Sequence, residues 1–195
     1  MYKSKKYDVT SAIKLPLRSL NIETIRDWQE KYPEAEISIE RQPNAAHAPL
    51  SDKHFWKIID LLDWTQSDDD LILEPSIEYL AANSVRSVLE FADLLSEKLY
   101  ALDGKAYAQH IGTTAWKLDS FFSVDNFLYA RCCVIANGQD FYEKVLENPT
   151  LMPKDTTFES LLYLPSMAYE RKLNKKYNYT PTHSIETYSH KEAWQ

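Results

Sequence analysis

The sequence predicts an α+β protein that is predominantly α-helical, with a multi-helix body preceded by a small N-terminal strand-helix-strand unit. Three observations lead there. Apolar residues recur at helical spacing along most of the chain after residue 51. The two-residue alternation of a strand occurs in the first forty-odd residues. Between the two regions lies QPNAAHAP, residues 42–49, whose prolines, small residues and turn formers have the composition of a connection.

In the N-terminal unit, residues 1–43, AIKLPL at 12–17 reads as an edge strand, because Pro16 cannot donate to a ladder. Asn21 opens a helical pattern with Ile22, Ile25 and Trp28 on one face, and AEISIE at 35–40 alternates as a second strand. Residues 44–50 are the predicted linker.

The helical body is predicted over residues 51–175. Ser51 caps a helix with Phe55, Ile58, Ile59 and Leu62 in one stripe and Trp56 beside it. Asp68, Asp69 and Asp70 mark a turn and helix start, with Pro75 placed in a first helical turn. Ser84 caps the longest helix. Its apolar stripe includes Val88, Leu95 and Leu99, its outer face carries Glu90, Asp93 and Glu97, and Asp103-Gly104 marks its end. The stretch around Trp116 has no clear period. Residues 123–137 read as a helix from Ser123 to a stop at Gly138, and another helix follows as far as Asn148-Pro149. Thr156 with Glu159 forms a capping-box pattern before a last helix, which Pro165 should kink or break near Leu161. The tail, 176–195, is polar but carries Tyr177, Tyr179, Tyr188 and Trp194, and is expected to pack on the body.

Several functional classes are excluded by what the chain lacks. Its three glycines, Gly104, Gly112 and Gly138, stand too far apart for a P-loop or dinucleotide fingerprint. There is no Gly-x-Ser-x-Gly elbow and no His or Cys spacing for zinc, so no catalytic residue, metal or cofactor is predicted. The five histidines are scattered singly. Cys132 and Cys133 are adjacent, which rules out a stapling disulfide within the chain and fits a reducing compartment. A Cys133–His110 thiolate pair is a weak pattern beside the structural reading of buried thiols. No apolar run is long enough to span a bilayer and the N-terminus lacks a signal-peptide pattern, so a cytoplasmic location is expected, with no membrane partner.

The net charge of −7 disfavours nucleic acid as a partner. By segment the charge is +1 for residues 1–50, −8 for 51–103, −2 for 104–165 and +2 for 166–195. The acidity is concentrated in the first helices of the body.

One charge sits where it is least expected. At 100° per residue, Arg131 falls among Phe127, Leu128, Val134 and Ile135 on the apolar face of its helix. A guanidinium in a core demands a carboxylate or a bound anion. Continuing the wheel of the helix at Ser51 as far as Trp64 puts Asp63 on an apolar side too, so Asp63 is the expected partner. Two readings follow: a buried Asp63–Arg131 ion pair, or a pocket in which Trp56, Trp64 and Tyr129 surround an anionic or polar ligand head held by Arg131.

FWKIIDLLDW at 55–64, LSEKLYALDGKAYAQHIG at 95–112, FSVDNFLYARCCVIANG at 122–138 and MPKDTTFESLLYLPSMAYERK at 152–172 resemble the bacterial domain-of-unknown-function family 4240. The resemblance covers roughly residues 51–175 and implies a mostly helical body in a soluble bacterial protein. It implies no catalytic residues. The functional expectation is a non-enzymatic interaction module, a regulatory or neutralising partner of a basic protein, with Glu90, Asp93 and Glu97 as its acidic face. The alternative is a small-ligand sensor or enzyme built around Arg131.

Overall fold

The computed structural model describes residues 21–34 and 49–195. The chain divides into two compact units between Ala46 and His47. In the first, α1 spans Ile22–Lys31 and starts at Asn21, whose Oδ1 accepts the Thr24 amide at 2.7 Å. The two expected strands, residues 12–17 and 35–40, lie outside the described residues. Among the described residues the regular structure is helical and no strand occurs.

The second unit contains α2 (Asp52–Ile59), α3 (Asp69–Ala82), α4 (Val85–Ala101), the single turn α5 (Lys105–Ala108), α6 (Val124–Ala136), α7 (Gln139–Glu147) and α8 (Leu164–Leu173), with short 3-10 turns at Pro149–Leu151, Glu159–Tyr163 and Lys191–Trp194. The predicted caps form: Ser51, Ser84 and Ser123 each accept an amide of the first turn, and Asp68 accepts two. Gly138 closes α6 at φ +90, a conformation that disfavours any side chain.

One proline assignment changes and the other holds as a break. Pro75 lies midway in α3, not in a first turn, since the helix already starts after Asp68. Its missing N–H would have met the carbonyl of Leu71, an exposed residue where water can serve that oxygen. Pro165 lies in the first turn of α8, where a missing amide hydrogen costs nothing. The chain breaks before it, as a 3-10 turn. The capping box does not form, because the Thr156 hydroxyl turns to the Lys154 carbonyl at 3.1 Å.

α4 runs through the middle of this unit. Its Phe91 stacks on Phe55 of α2 at 4.9 Å. α3 lies against α8, held at its rim by Arg171, which grips Glu74 with two bonds of 2.7 Å, and by Lys172, which donates to the Ala81 carbonyl at the C-terminal end of α3. The Ser76 hydroxyl ties α3 to the Ile58 carbonyl of α2 at 2.8 Å. The most enclosed helix is α6, in which Phe127, Leu128 and every residue from Ala130 to Ala136 are buried.

Lys98 of α4 is also buried. Its ammonium pairs with Asp52 and lies 5.2, 5.1 and 5.7 Å from the ring centres of Phe55, Trp56 and Tyr142. The rings and the carboxylate together replace the water that burial removes.

Candidate functional site

Arg131 projects from α6 into the driest part of the molecule and is fully buried. Its Nη1 donates to the Leu99 carbonyl near the end of α4 at 2.9 Å. Its Nη2 donates to the Ile185 carbonyl at 2.9 Å and to the Thr187 hydroxyl at 3.2 Å, both in the C-terminal tail. The guanidinium lies 4.8 Å from the Phe127 ring centre, and its Nε has no acceptor.

The countercharge is Asp103, also fully buried, just past the C-terminus of α4. Its carboxylate accepts the amides of Tyr188 and His190 at 3.2 and 3.0 Å, and the indole N–H of Trp194 at 3.0 Å. Burial pulls the Arg131 pKa down, and the Asp103 charge opposes that shift. The two buried charges therefore work as complementary clamps on one irregular segment: the cation takes a tail carbonyl and the anion takes tail N–H groups. A coil segment has unspent backbone groups, and these two side chains satisfy several of them.

The expected Asp63–Arg131 pair is not present. α2 ends at Ile59, so the helical wheel does not reach residue 63. Beyond it the Asp63 amide bonds to the Ile72 carbonyl, and the carboxylate accepts the Thr65 amide and hydroxyl and the Gln66 side chain. Those donors hold the Asp63 carboxyl below the usual range, the Thr65 hydroxyl first among them. The aromatic residues expected around Arg131 are dispersed as well. Trp56 packs on Tyr142 and donates to Asp52, Trp64 lies against Phe158, and Tyr129 stands near the Glu159 carboxylate. With the guanidinium's Nη groups given to protein oxygens, the anion-holding pocket has no open cation at its centre.

The expected acidic face of α4 is also largely engaged within the protein. Glu90 accepts the Leu50 amide and the Arg86 side chain, at 2.9 and 2.7 Å. Asp93 accepts the Tyr179 hydroxyl and the Thr182 amide, at 2.8 and 2.9 Å, and so holds the tail. Only Glu97 of the three is exposed.

A different acidic surface stands open. Residues 58–85 contain seven carboxylates and no lysine or arginine. The bridge between α2 and α3 and the first turn of α3 supply Asp60, Asp63, Asp68, Asp69 and Asp70, none of which forms an ion pair among the described residues. In the middle of this stretch Trp64 is 53% exposed, with Leu61 and Leu71 also exposed. The indole rests on Phe158 with ring centres 5.2 Å apart. The Ser160 hydroxyl donates to Asp69, tying the 3-10 turn Glu159–Tyr163 to the same surface. A residue-type count could have found it, because the uninterrupted acidity of residues 58–85 was visible inside the −8 segment. What the count could not show was which carboxylates the fold uses internally.

The cysteines diverge around α6, and both thiols are buried. Burial pushes the Cys132 thiol up to about 12 and raises Cys133 as well. The bonded neighbour of Cys133 is the Asn137 amide at 3.6 Å, not His110. In the native protein at pH 7.5, a chromogenic disulfide reagent is expected to label both thiols at least about a hundredfold more slowly than in denaturant, since only the thiolate reacts. Native labelling at the denatured rate would contradict this.

Among the described residues, no group of three or more His, Cys, Asp or Glu could hold a metal ion, and no helix is long and apolar enough to cross a membrane. A family model described as "Protein of unknown function (DUF4240)" matches residues 50–171. Arg131, Asp103 and the acidic surface fall inside that match, and the tail segment that Arg131 and Asp103 bind lies beyond it. No curated protein matches the chain, and no solved structure does.

Proposed function

Because the chain belongs to the DUF4240 family, whose description assigns no activity, we propose from its surface that it is a protein-interaction module for a basic partner. The observation that carries this reading is the half-exposed Trp64, with Leu61 and Leu71, set among Asp60, Asp63, Asp68, Asp69 and Asp70, none of which pairs with a cation of the described residues. Exposed aromatic side chains on a firm backing are the usual anchors of protein interfaces, and a rim of one charge selects the opposite charge and accelerates encounter. The partner's contact segment would be rich in lysine or arginine and carry at least one apolar side chain. A guanidinium of that segment could stack on the indole while pairing with a neighbouring aspartate.

The test is affinity capture with the full chain as bait, read by mass spectrometry, followed by titration of the captured protein. The expected result is a dominant basic partner whose affinity falls steeply with salt. Trp64→Ala should weaken it about thirtyfold, the scale of a hot spot of about 2 kcal/mol. Asp68→Asn with Asp70→Asn should mainly slow association. A partner that binds both variants as tightly as the native protein, or no basic partner at all, would overturn the reading. Thermal unfolding of each variant checks that the fold is intact.

A further inference from the structure

We propose that the cleft between α6 and the two loops carrying Gly112 and Asp155 binds a small hydroxylated amine of the amino-sugar class. The cleft has a volume of about 290 Å³, just under the range of drug-sized sites, and it opens to solvent along Asp155, Thr156 and Thr157. Ile111 and Ala130 line it as buried apolar residues, while Thr114, Asn126, Asp155 and Thr157 line it with polar groups.

Its walls are tied together from opposite directions. The Asp155 amide donates to the Ile111 carbonyl at 3.0 Å, and Phe158 donates to the Tyr129 carbonyl of α6 at 3.1 Å. Asp155 Oδ1 accepts both the amide and the hydroxyl of Thr113, at 2.7 and 2.6 Å. The carboxylate lies flat against Gly112, where a Cβ would come within 2.5 Å of it, and the Gly112 φ of +96 allows this approach.

These bonds leave specific groups unspent. Oδ2 of Asp155, the Asn126 carboxamide and the hydroxyls of Thr114 and Thr157 have no hydrogen-bond partner among the described residues. They offer one anionic acceptor and three groups that both donate and accept, set against an apolar floor. The Thr113 bonds hold the Asp155 carboxyl below the usual range, so it is ionised at neutral pH. No lysine, arginine or histidine lines the cleft, which disfavours phosphorylated or carboxylated ligands. An ammonium would meet Oδ2, and ring hydroxyls would exchange hydrogen bonds with Asn126 and the threonines.

The test is isothermal titration of the full chain with glucosamine, glucose and glucose 6-phosphate. Glucosamine is expected to bind saturably with a Kd in the millimolar range or tighter, glucose at least about tenfold more weakly for want of the charge-assisted bond, and the phosphate ester not measurably. Asn126→Ala and Thr157→Val should each weaken glucosamine binding severalfold with no change in melting temperature, and Asp155→Asn should remove the preference for the amine. The proposal is overturned by an absence of saturable glucosamine binding up to about 50 mM. It is equally overturned if glucose 6-phosphate binds as well as glucosamine, or if affinities in the folded Asn126 and Thr157 variants are unchanged.

Discussion

Replacing Arg131 with methionine is expected to lower the free energy of unfolding by about 3 kcal/mol, read from urea denaturation at pH 7. Methionine fills much of the volume but donates nothing. The Leu99 and Ile185 carbonyls would lose their donors at 2.9 Å, and the fully buried Asp103 carboxylate would lose the nearby positive charge. Each orphaned buried acceptor costs about 1 kcal/mol or more, and the unbalanced carboxylate adds to that. Arg131→Lys should recover only part of the loss, because one ammonium cannot reach two carbonyls and a hydroxyl with the reach of a planar fork. A methionine variant within about 0.5 kcal/mol of the native protein would mean that the guanidinium is not holding the tail.

Asp103→Asn is the second large effect, with an expected loss of about 2–3 kcal/mol. The carboxylate accepts three N–H donors through two oxygens. Asparagine keeps one oxygen and turns an NH₂ group toward donors that need an acceptor. The tail should loosen first, so hydrogen exchange at the Tyr188 and His190 amides should accelerate before that of α4 or α6. The Trp194 indole should report the same release as a shift in fluorescence. Retained slow exchange at both amides would show that the aromatic contacts of Trp194 with Phe122, Phe127 and Tyr188 hold the tail without the carboxylate.

The two substitutions act on one segment, so their combination should fall short of the summed losses by about 1 kcal/mol or more. Asp63→Asn combined with Arg131→Met should be additive, because those residues share no partner in this fold. This contrast separates the clamp that forms from the ion pair that the helical pattern suggested.

A helical wheel is valid only while the helix continues, and nothing in FWKIIDLLDW announces that α2 stops at Ile59. The stop comes from Asp63 capping its own turn and from its amide reaching Ile72, a residue of the next helix. Asp103 was legible in part. An aspartate directly after a long helix opposes the negative end of the helix dipole, and a residue placed against that field needs another reason to be there. The reason is three tail donors located 85 to 91 positions along the chain. No local pattern encodes contacts of that separation.

By itself, the sequence determined where α2, α4 and α6 start, because caps and apolar period act within a few residues: Ser51, Ser84 and Ser123 form the caps that their positions announce. It also placed Arg131 in the apolar face of α6, which the structure buries. Only the tertiary structure decided what Arg131 meets and which acidic groups remain open. A buried charge is satisfied by whatever donors and acceptors the packing brings within about 3 Å. Here those are backbone groups of an irregular tail, whose side chains carry no signal of the role. The same packing used Glu90 and Asp93 internally and left Asp60, Asp68, Asp69 and Asp70 exposed around Trp64.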